Sequence, residues 1–306
     1  MKTPETSKEP ILLDAAVAGP LFMLSAALLF TVLNILIKLL GPQYSVWHIG
    51  FFRFFGGAVI IQLLFGHNRN PWRGNNIPLL IIRGLTGTVA FIAMITALRL
   101  LPISTTLVLF YSFPAFSAVF SFWFYGERIG IPGILCILVV MGGIGVLLDF
   151  RMEGALIGQV MAVIGGLFAG VTVTFIRALR ENNGPVVIYL YLCLTGALVT
   201  LPDFLLHPVV PATPMEWVMI LGIVLASLAA QLLMNQGFFY CRGWEGGVLM
   251  SSEVIFTAIA GIVFLEEAAT LRFWIGGGLI FGSVVTLNRM GSPSSRPQEK
   301  KSRTGK

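Results

Sequence analysis

Apolar residues fill the chain in ten runs near 17–40, 47–65, 77–98, 103–125, 130–149, 154–176, 185–203, 215–240, 245–265 and 271–289. Each is about 20 residues long, the length that crosses a hydrocarbon layer of ~30 Å as a helix. The breaks are short and rich in turn formers: GPQYS, GHNRNPWRGNN, DFRME, RENNGP, HPVVPATP and CRGWEG. Connections this tight set neighbouring helices antiparallel. No run alternates apolar and polar residues with a period of two, which disfavours a β-barrel. The pattern predicts an all-α polytopic membrane protein with ten transmembrane helices.

The runs also repeat. SFPAFSAVFSFWFYGE (112–127) lies over SEVIFTAIAGIVFLEE (252–267), so that Ser112, Phe116, Ala118, Phe124 and Glu127 fall on Ser252, Phe256, Ala258, Phe264 and Glu267. Lys38 falls on Arg177, Gly57 on Gly196 and Ala58 on Ala197, at nearly the same offset. The chain therefore divides into a tail (1–16), a first five-helix copy (17–149), a second (150–290) and a basic tail (291–306). An odd number of spans per copy makes the second enter the membrane upside down, as inverted repeats around a midplane site do. Phe113 in the first copy becomes Glu253 in the second.

Composition agrees with lipid as the main solvent. The chain is 56% hydrophobic and 11% charged, against roughly a quarter charged in soluble domains. The net charge of +6 lies largely in the tail SSRPQEKKSRTGK, and no basic, aromatic-interleaved domain points to nucleic acid. Cys136, Cys193 and Cys241 form no CxxC pair, so neither a disulfide nor a metal framework is expected. The opening MKTPETSKEP lacks the basic region and cleavage site of a signal peptide, which leaves the first run as a membrane helix. Threading the ten spans from a cytoplasmic N-terminus puts most Lys and Arg residues on the cytoplasmic side, largely through the two tails. Both termini are expected in the cytoplasm.

The sequence resembles the EamA units of the drug/metabolite transporter superfamily. The resemblance rests on IIRGLTGTVAFIAMITALRLLPIS (81–104), YSFPAFSAVFSFWFYGERI (111–129) and SSEVIFTAIAGIVFLEE (251–267). In the first copy Ala97-Leu98-Arg99 with Pro102, then Pro114 and Gly126-Glu127, follow the family pattern. The second copy reads Glu253-Val254-Ile255 and ends Glu266-Glu267, without the usual Pro and Gly. The resemblance implies ten helices and secondary active transport of a small organic metabolite across the cytoplasmic (inner) membrane by alternating access. The solute class stays open among amino-acid-like compounds, amines, vitamins and nucleosides. Protons are a candidate coupling ion, and the state is monomer or homodimer.

Polar residues at membrane depth are the candidate site, because a charge at a helix centre costs roughly 2.5–3.5 kcal/mol to insert. Glu253 lies on a small-residue face with Gly246, Met250 and Thr257. It reads either as a substrate or proton group, or as a carboxyl bonded to a neighbouring helix. Ser227, Gln231 and Asn235 form one stripe at i, i+4, i+8. Depth counted along the helices puts Arg83, Gln231, Asn235 and Glu253 in one layer of the inner half, where Arg83 reads either as a partner of Glu253 or as a side chain snorkelling to the inner headgroups. Asn34 and Arg53 fall in a second layer near the outer face, Arg53 reading as an interfacial anchor or a dock for a carboxylate. Tyr111 and Ser252 complete the expected substrate-binding or coupling set, with Phe110 and Phe113 as packing or an apolar gate.

The Gly-Glu and Glu-Glu helix ends read as loop and cap chemistry. Gly166 and Gly170 read as a close-packing step. No GxxxxGK(S/T) loop is present, so ATP hydrolysis is not expected. The three histidines lie in or beside loops, without HExxH or paired intramembrane Asp, which argues against a membrane-embedded enzyme. A channel or structural membrane protein is the remaining alternative, and unlike polar content in the two copies favours alternating access over it.

Overall fold

In the computed structural model, residues 15–66, 72–148, 154–264 and 270–289 are described. Glu266, Glu267 and most of both tails lie outside them. The described chain forms twelve helices and no strand: α1 Ala15–Leu39, α2 Val46–Phe65, α3 Ile77–Leu100, α4 Ile103–Phe110, α5 Phe113–Tyr125, α6 Ile131–Leu147, α7 Leu156–Leu179, α8 Pro185–Leu206, α9 Pro214–Gly237, α10 Gly243–Met250, α11 Ser252–Phe264 and α12 Leu271–Arg289. Seven segments are long and apolar enough to cross a membrane, the α4–α5 stretch Thr105–Tyr125 counting as one. α6 and α12 are apolar but shorter.

Local chemistry sets the boundaries. Proline sits in the first turn of α3, α5, α6, α8 and α9, where its missing N–H is no loss and its fixed φ suits a helix start. Side chains of Ser45, Asn76 and Thr213 accept from the first-turn amides of α2, α3 and α9.

Two of the expected spans are broken. The 103–125 run divides at Tyr111 and Ser112 into α4 and α5. Pro114 cannot donate to the carbonyl four residues back and its ring crowds that turn; the Ser112 hydroxyl donates to the Leu109 carbonyl at 2.6 Å instead. The 245–265 run divides at Ser251 into α10 and α11 without any proline. There the Ser251 and Ser252 hydroxyls donate to the Gly247 and Leu249 carbonyls, at 3.1 and 2.7 Å, and Val254 N bonds only three residues back, to Ser251 O. Serines that bond the preceding turn bend helices. The two breaks occupy matching positions of the repeat.

The most extensive packing joins α3 to α7, α1 to α9, α6 to α12 and α2 to α8. Each of these pairs a helix of residues 17–149 with one of 150–290. α7 packs closely on the α4–α5 break. A Cβ on Gly166 would stand 2.7 Å from the Phe110 carbonyl oxygen, and one on Gly170 would stand 2.7 Å from Phe116 Cβ. Only glycine permits that approach, so the GxxxG step in this helix is a packing surface. Outward faces are apolar, with Trp123, Leu135, Leu198 and Phe281 largely exposed, while Arg83, Asn235, Ser227 and Thr106 are fully buried. That is the inverse of a soluble surface and suits lipid on the outside.

Candidate functional site

A cavity of about 130 Å³, measured as room for the centres of water molecules, lies between the helices. Both matched breaks reach it, through Phe110, Tyr111 and Phe113 on one side and Met250 and Glu253 on the other. Six of the expected residues line it: Asn34, Arg53, Arg83, Tyr111, Gln231 and Glu253. Ser252 turns back into its own helix break. Asn235 stands behind the wall and donates to the Pro185 carbonyl at 3.2 Å.

Glu253 bonds across to the first helix. Asn34 Nδ2 donates to its Oε1 at 2.7 Å. The Tyr111 hydroxyl reaches the Met250 carbonyl at 3.3 Å. Thr31, one turn before Asn34, donates to the Glu253 backbone carbonyl at 3.3 Å. α1 and the start of α11 are thus stitched together at the carboxylate.

The arginines hang from α9. Arg53 Nε donates to Ser227 Oγ, and its guanidinium lies 4.1 Å from the Phe91 ring centroid, a cation–π contact. Arg83 Nη2 donates to Gln231 Oε1 at 3.0 Å and reaches Asn235 Oδ1 at 3.4 Å. The remaining nitrogens of Arg83, Nε and Nη1, are buried without a hydrogen-bond partner.

Two expectations change. Arg83 does not pair with Glu253; it is held by the amide oxygens of the α9 stripe. The two polar layers are also not separate, since Asn34 and Arg53 line the same cavity as Arg83, Gln231 and Glu253. Counting each helix from its own end misplaced them. Gly19 of α1 packs level with Tyr240 and Cys241, just before α10. From there Asn34 is fifteen residues on and Glu253 twelve, so both climb about 20 Å.

Two polar clusters that sequence reasoning missed tie loops to helix ends. At one, the Tyr44 hydroxyl donates to Glu216 Oε2 at 2.8 Å, Gln43 Nε2 to Oε1 at 3.2 Å, and Arg99 Nη2 to the Tyr44 carbonyl at 3.1 Å. Burial and the Glu216 carboxylate push the Tyr44 hydroxyl up to about 12. At the other, Asn75 N donates to Asn183 Oδ1 at 2.7 Å, and Arg180 donates to the Asn183 carbonyl and to Gln236. Burial lowers the Arg180 guanidinium from its ordinary value. The turn-forming Asn182-Asn183 and Gln43-Tyr44 were visible only as loop residues; no spacing marked them as partners of distant helix ends. Among the described residues no cluster of His, Cys, Asp or Glu is arranged to hold a metal ion.

Comparison with known proteins adds three findings. The family model described as the EamA-like transporter family matches twice, over residues 17–148 and 156–289. The pseudopaline exporter CntI of Pseudomonas aeruginosa, in two strains, is 27% identical over 280 residues, spanning 91% of this chain and 99% of the exporter. A protein solved by crystallography shares the fold with a TM-score of 0.73 at 21% identity, covering 90% of this chain and 99% of that one.

Proposed function

The chain belongs to the EamA-like transporter family, and from that premise we propose that it is a secondary active exporter of a small organic metabolite, working by alternating access. It is a multi-pass membrane transporter and not an enzyme. Beyond that, the reading places ten spans in the cytoplasmic membrane as two inverted five-helix copies, with both termini in the cytoplasm. Two family matches of nearly equal length, breaks at matching positions and cross-copy helix pairing support the arrangement. Export is favoured by the named activity of the 27% identical relative.

The observation that carries the proposal is the cavity. It is lined from both copies and holds Arg53, Arg83 and Glu253, charges that are expensive at membrane depth. A site between copies can be exposed to either side by rocking one copy against the other. Asn34, Arg53, Arg83, Tyr111, Gln231 and Glu253 form the binding and coupling set, with Asn235 and Ser252 holding its walls. Glu253 is the group that couples solute movement to protons. Arg53, tied to Ser227 and stacked on Phe91, docks an anionic group rather than anchoring at the interface.

Metabolite pools inside and outside cells that lack or overproduce the protein test the function. Accumulation of one solute inside cells lacking it is expected, and Glu253→Gln should reproduce that phenotype while still inserting. Solute movement that only equilibrates, never concentrates, would make the chain a channel. Single reporter cysteines at Arg128 and Thr270 test the inversion; labelling from the same side would defeat it.

A further inference from the structure

We infer that the transported solute carries two acidic groups about one helical turn apart and an amino group facing them. The inference rests on the transport reading above and names its substrate class. Arg53 and Arg83 are 3% and 0% exposed and line one cavity. Neither has a carboxylate partner among the described residues. Burying a cation without a counter-ion is costly, and burying two together compounds the cost.

The groups that hold them lie on α9. Arg53 is held at Ser227 and Arg83 at Gln231, four residues further along the same face, which is about 6 Å of helix. The holding groups are a hydroxyl and an amide oxygen, so they orient the guanidinium groups without neutralising them. Arg83 keeps Nε and Nη1 unpartnered. Arginine suits such a site because its fork matches carboxylate geometry.

The third charge faces them from α11. Glu253, steadied by Asn34, is a carboxylate acceptor for an ammonium group. Two carboxylates and one ammonium on a single solute would compensate all three buried charges. Most of the remaining lining, including Phe30, Phe91, Met94 and Phe113, is apolar and fits a carbon skeleton between the charged ends. A diamine would leave both arginines uncompensated and add repulsion. A neutral amino acid would leave one arginine bare.

Thermal stabilisation of the purified protein in detergent, titrated with L-glutamate, L-2-aminoadipate, glutarate, L-glutamine and cadaverine, tests this. One of the two acidic amino acids should bind at least about tenfold more tightly than glutamine, as expected for one added charge-assisted contact. Cadaverine should give no shift. Arg83→Gln and Arg53→Gln should each bring the acidic amino acid down to the glutamine level. Glu253→Gln should weaken amino acids while tightening glutarate, because it removes a negative charge from the cavity that the dianion enters. Cadaverine or glutamine ranking at or above both acidic amino acids overturns the inference, as does the absence of any Arg83-dependent response to a dicarboxylate. Should Arg83→Gln fail to fold, the wild-type ranking decides alone. A solute found by the metabolite-pool experiment to be a neutral compound or an amine would sink this inference and leave the transport reading standing.

Discussion

Arg83 is the sharpest place to separate stability from function. Replace it by methionine, which keeps most of the length and apolar volume. The substitution removes one good hydrogen bond, Nη2 to Gln231 at 3.0 Å, and a marginal one to Asn235 at 3.4 Å. A bond to a charged group is worth about 1.5–3 kcal/mol, and the orphaned Gln231 oxygen costs about 1–3 more. Against this, two buried donors that lack partners disappear, at about 1–3 kcal/mol each. The desolvation penalty of a fully buried, unneutralised cation, several kcal/mol, disappears too. The two hydrogen-bond terms roughly cancel, so the charge decides. Exchanging buried ionic groups for apolar ones of similar volume stabilises by about 1–4 kcal/mol, and part of that range survives the uncertain cancellation. We expect Arg83→Met to unfold about 2–6 °C above the parent in detergent, taking roughly 2 °C per kcal/mol for a chain of this size, and to lose export. The assay is paired thermal unfolding of empty proteins, with export measured in the same cells. An Arg83→Met protein that unfolds at or below the parent temperature would show that the guanidinium is structural and refute the argument.

Asn34→Leu removes the 2.7 Å bond to Glu253 and should destabilise the protein by about 1.5–3 kcal/mol, read as a lowered unfolding temperature. Gly170→Leu forces a side chain where a Cβ alone already stands 2.7 Å from Phe116 Cβ and 2.9 Å from Ser117 N. Overpacking costs typically 1–3 kcal/mol, so about that loss is expected together with lost export, whereas exposed Leu198→Ala should change neither. Tyr44 gives a pH signature. Its hydroxyl is pushed from 10 up to about 12 by burial and by Glu216, so the folded state holds its proton more tightly than the unfolded one. The associated stability is present below pH 10 and declines as the pH rises towards 12. Tyr44→Phe should flatten that alkaline decline in unfolding temperature, and an unchanged slope would mean that another group titrates there.

Much of this was legible in the sequence, because lipid imposes a coarse code. Runs of about 20 apolar residues must be helices, and their boundaries match the structure closely. Glu253 stood out because a charge inside such a run is expensive. What escaped were relations between helices. The Asn34–Glu253 bond depends on how α1 slides along α10, which is set by Gly19 against Cys241 and Met23 against Phe238 and Gly246. Depth counted from each helix end cannot register that slide. The break at Ser251 was hidden for another reason. Proline announces a kink, but two serines bonding back to the preceding turn look in sequence like ordinary small polar residues.

The cavity lining itself explains why a duplicated chain needs its copies to differ. Carried across the repeat at offsets of 139 or 140, several lining residues pair with one another: Asn34 with Val173, Arg53 with Leu192, Leu33 with Thr172, Phe91 with Gln231 and Phe113 with Glu253, whereas Arg83 has no counterpart in the lining. In every one of these pairs one member is polar and the other apolar. Met94 pairs with Met234 and Phe110 with Met250, apolar on both sides. Had both copies kept the polar member, the cavity would hold four charges from the Arg53 and Glu253 positions alone, each raising the cost of insertion. Had both kept the apolar member, nothing would orient a solute. Splitting each pair places the acceptor Glu253 and the donor Arg53 at positions that the repeat does not relate to each other. On the proposed alternating-access cycle, rocking between two states calls for an approximately symmetric backbone, while unlike side chains at matched positions would fix a single orientation of the solute. On that proposal, selectivity should respond to changes at the polar members and the balance of states to changes at their apolar counterparts.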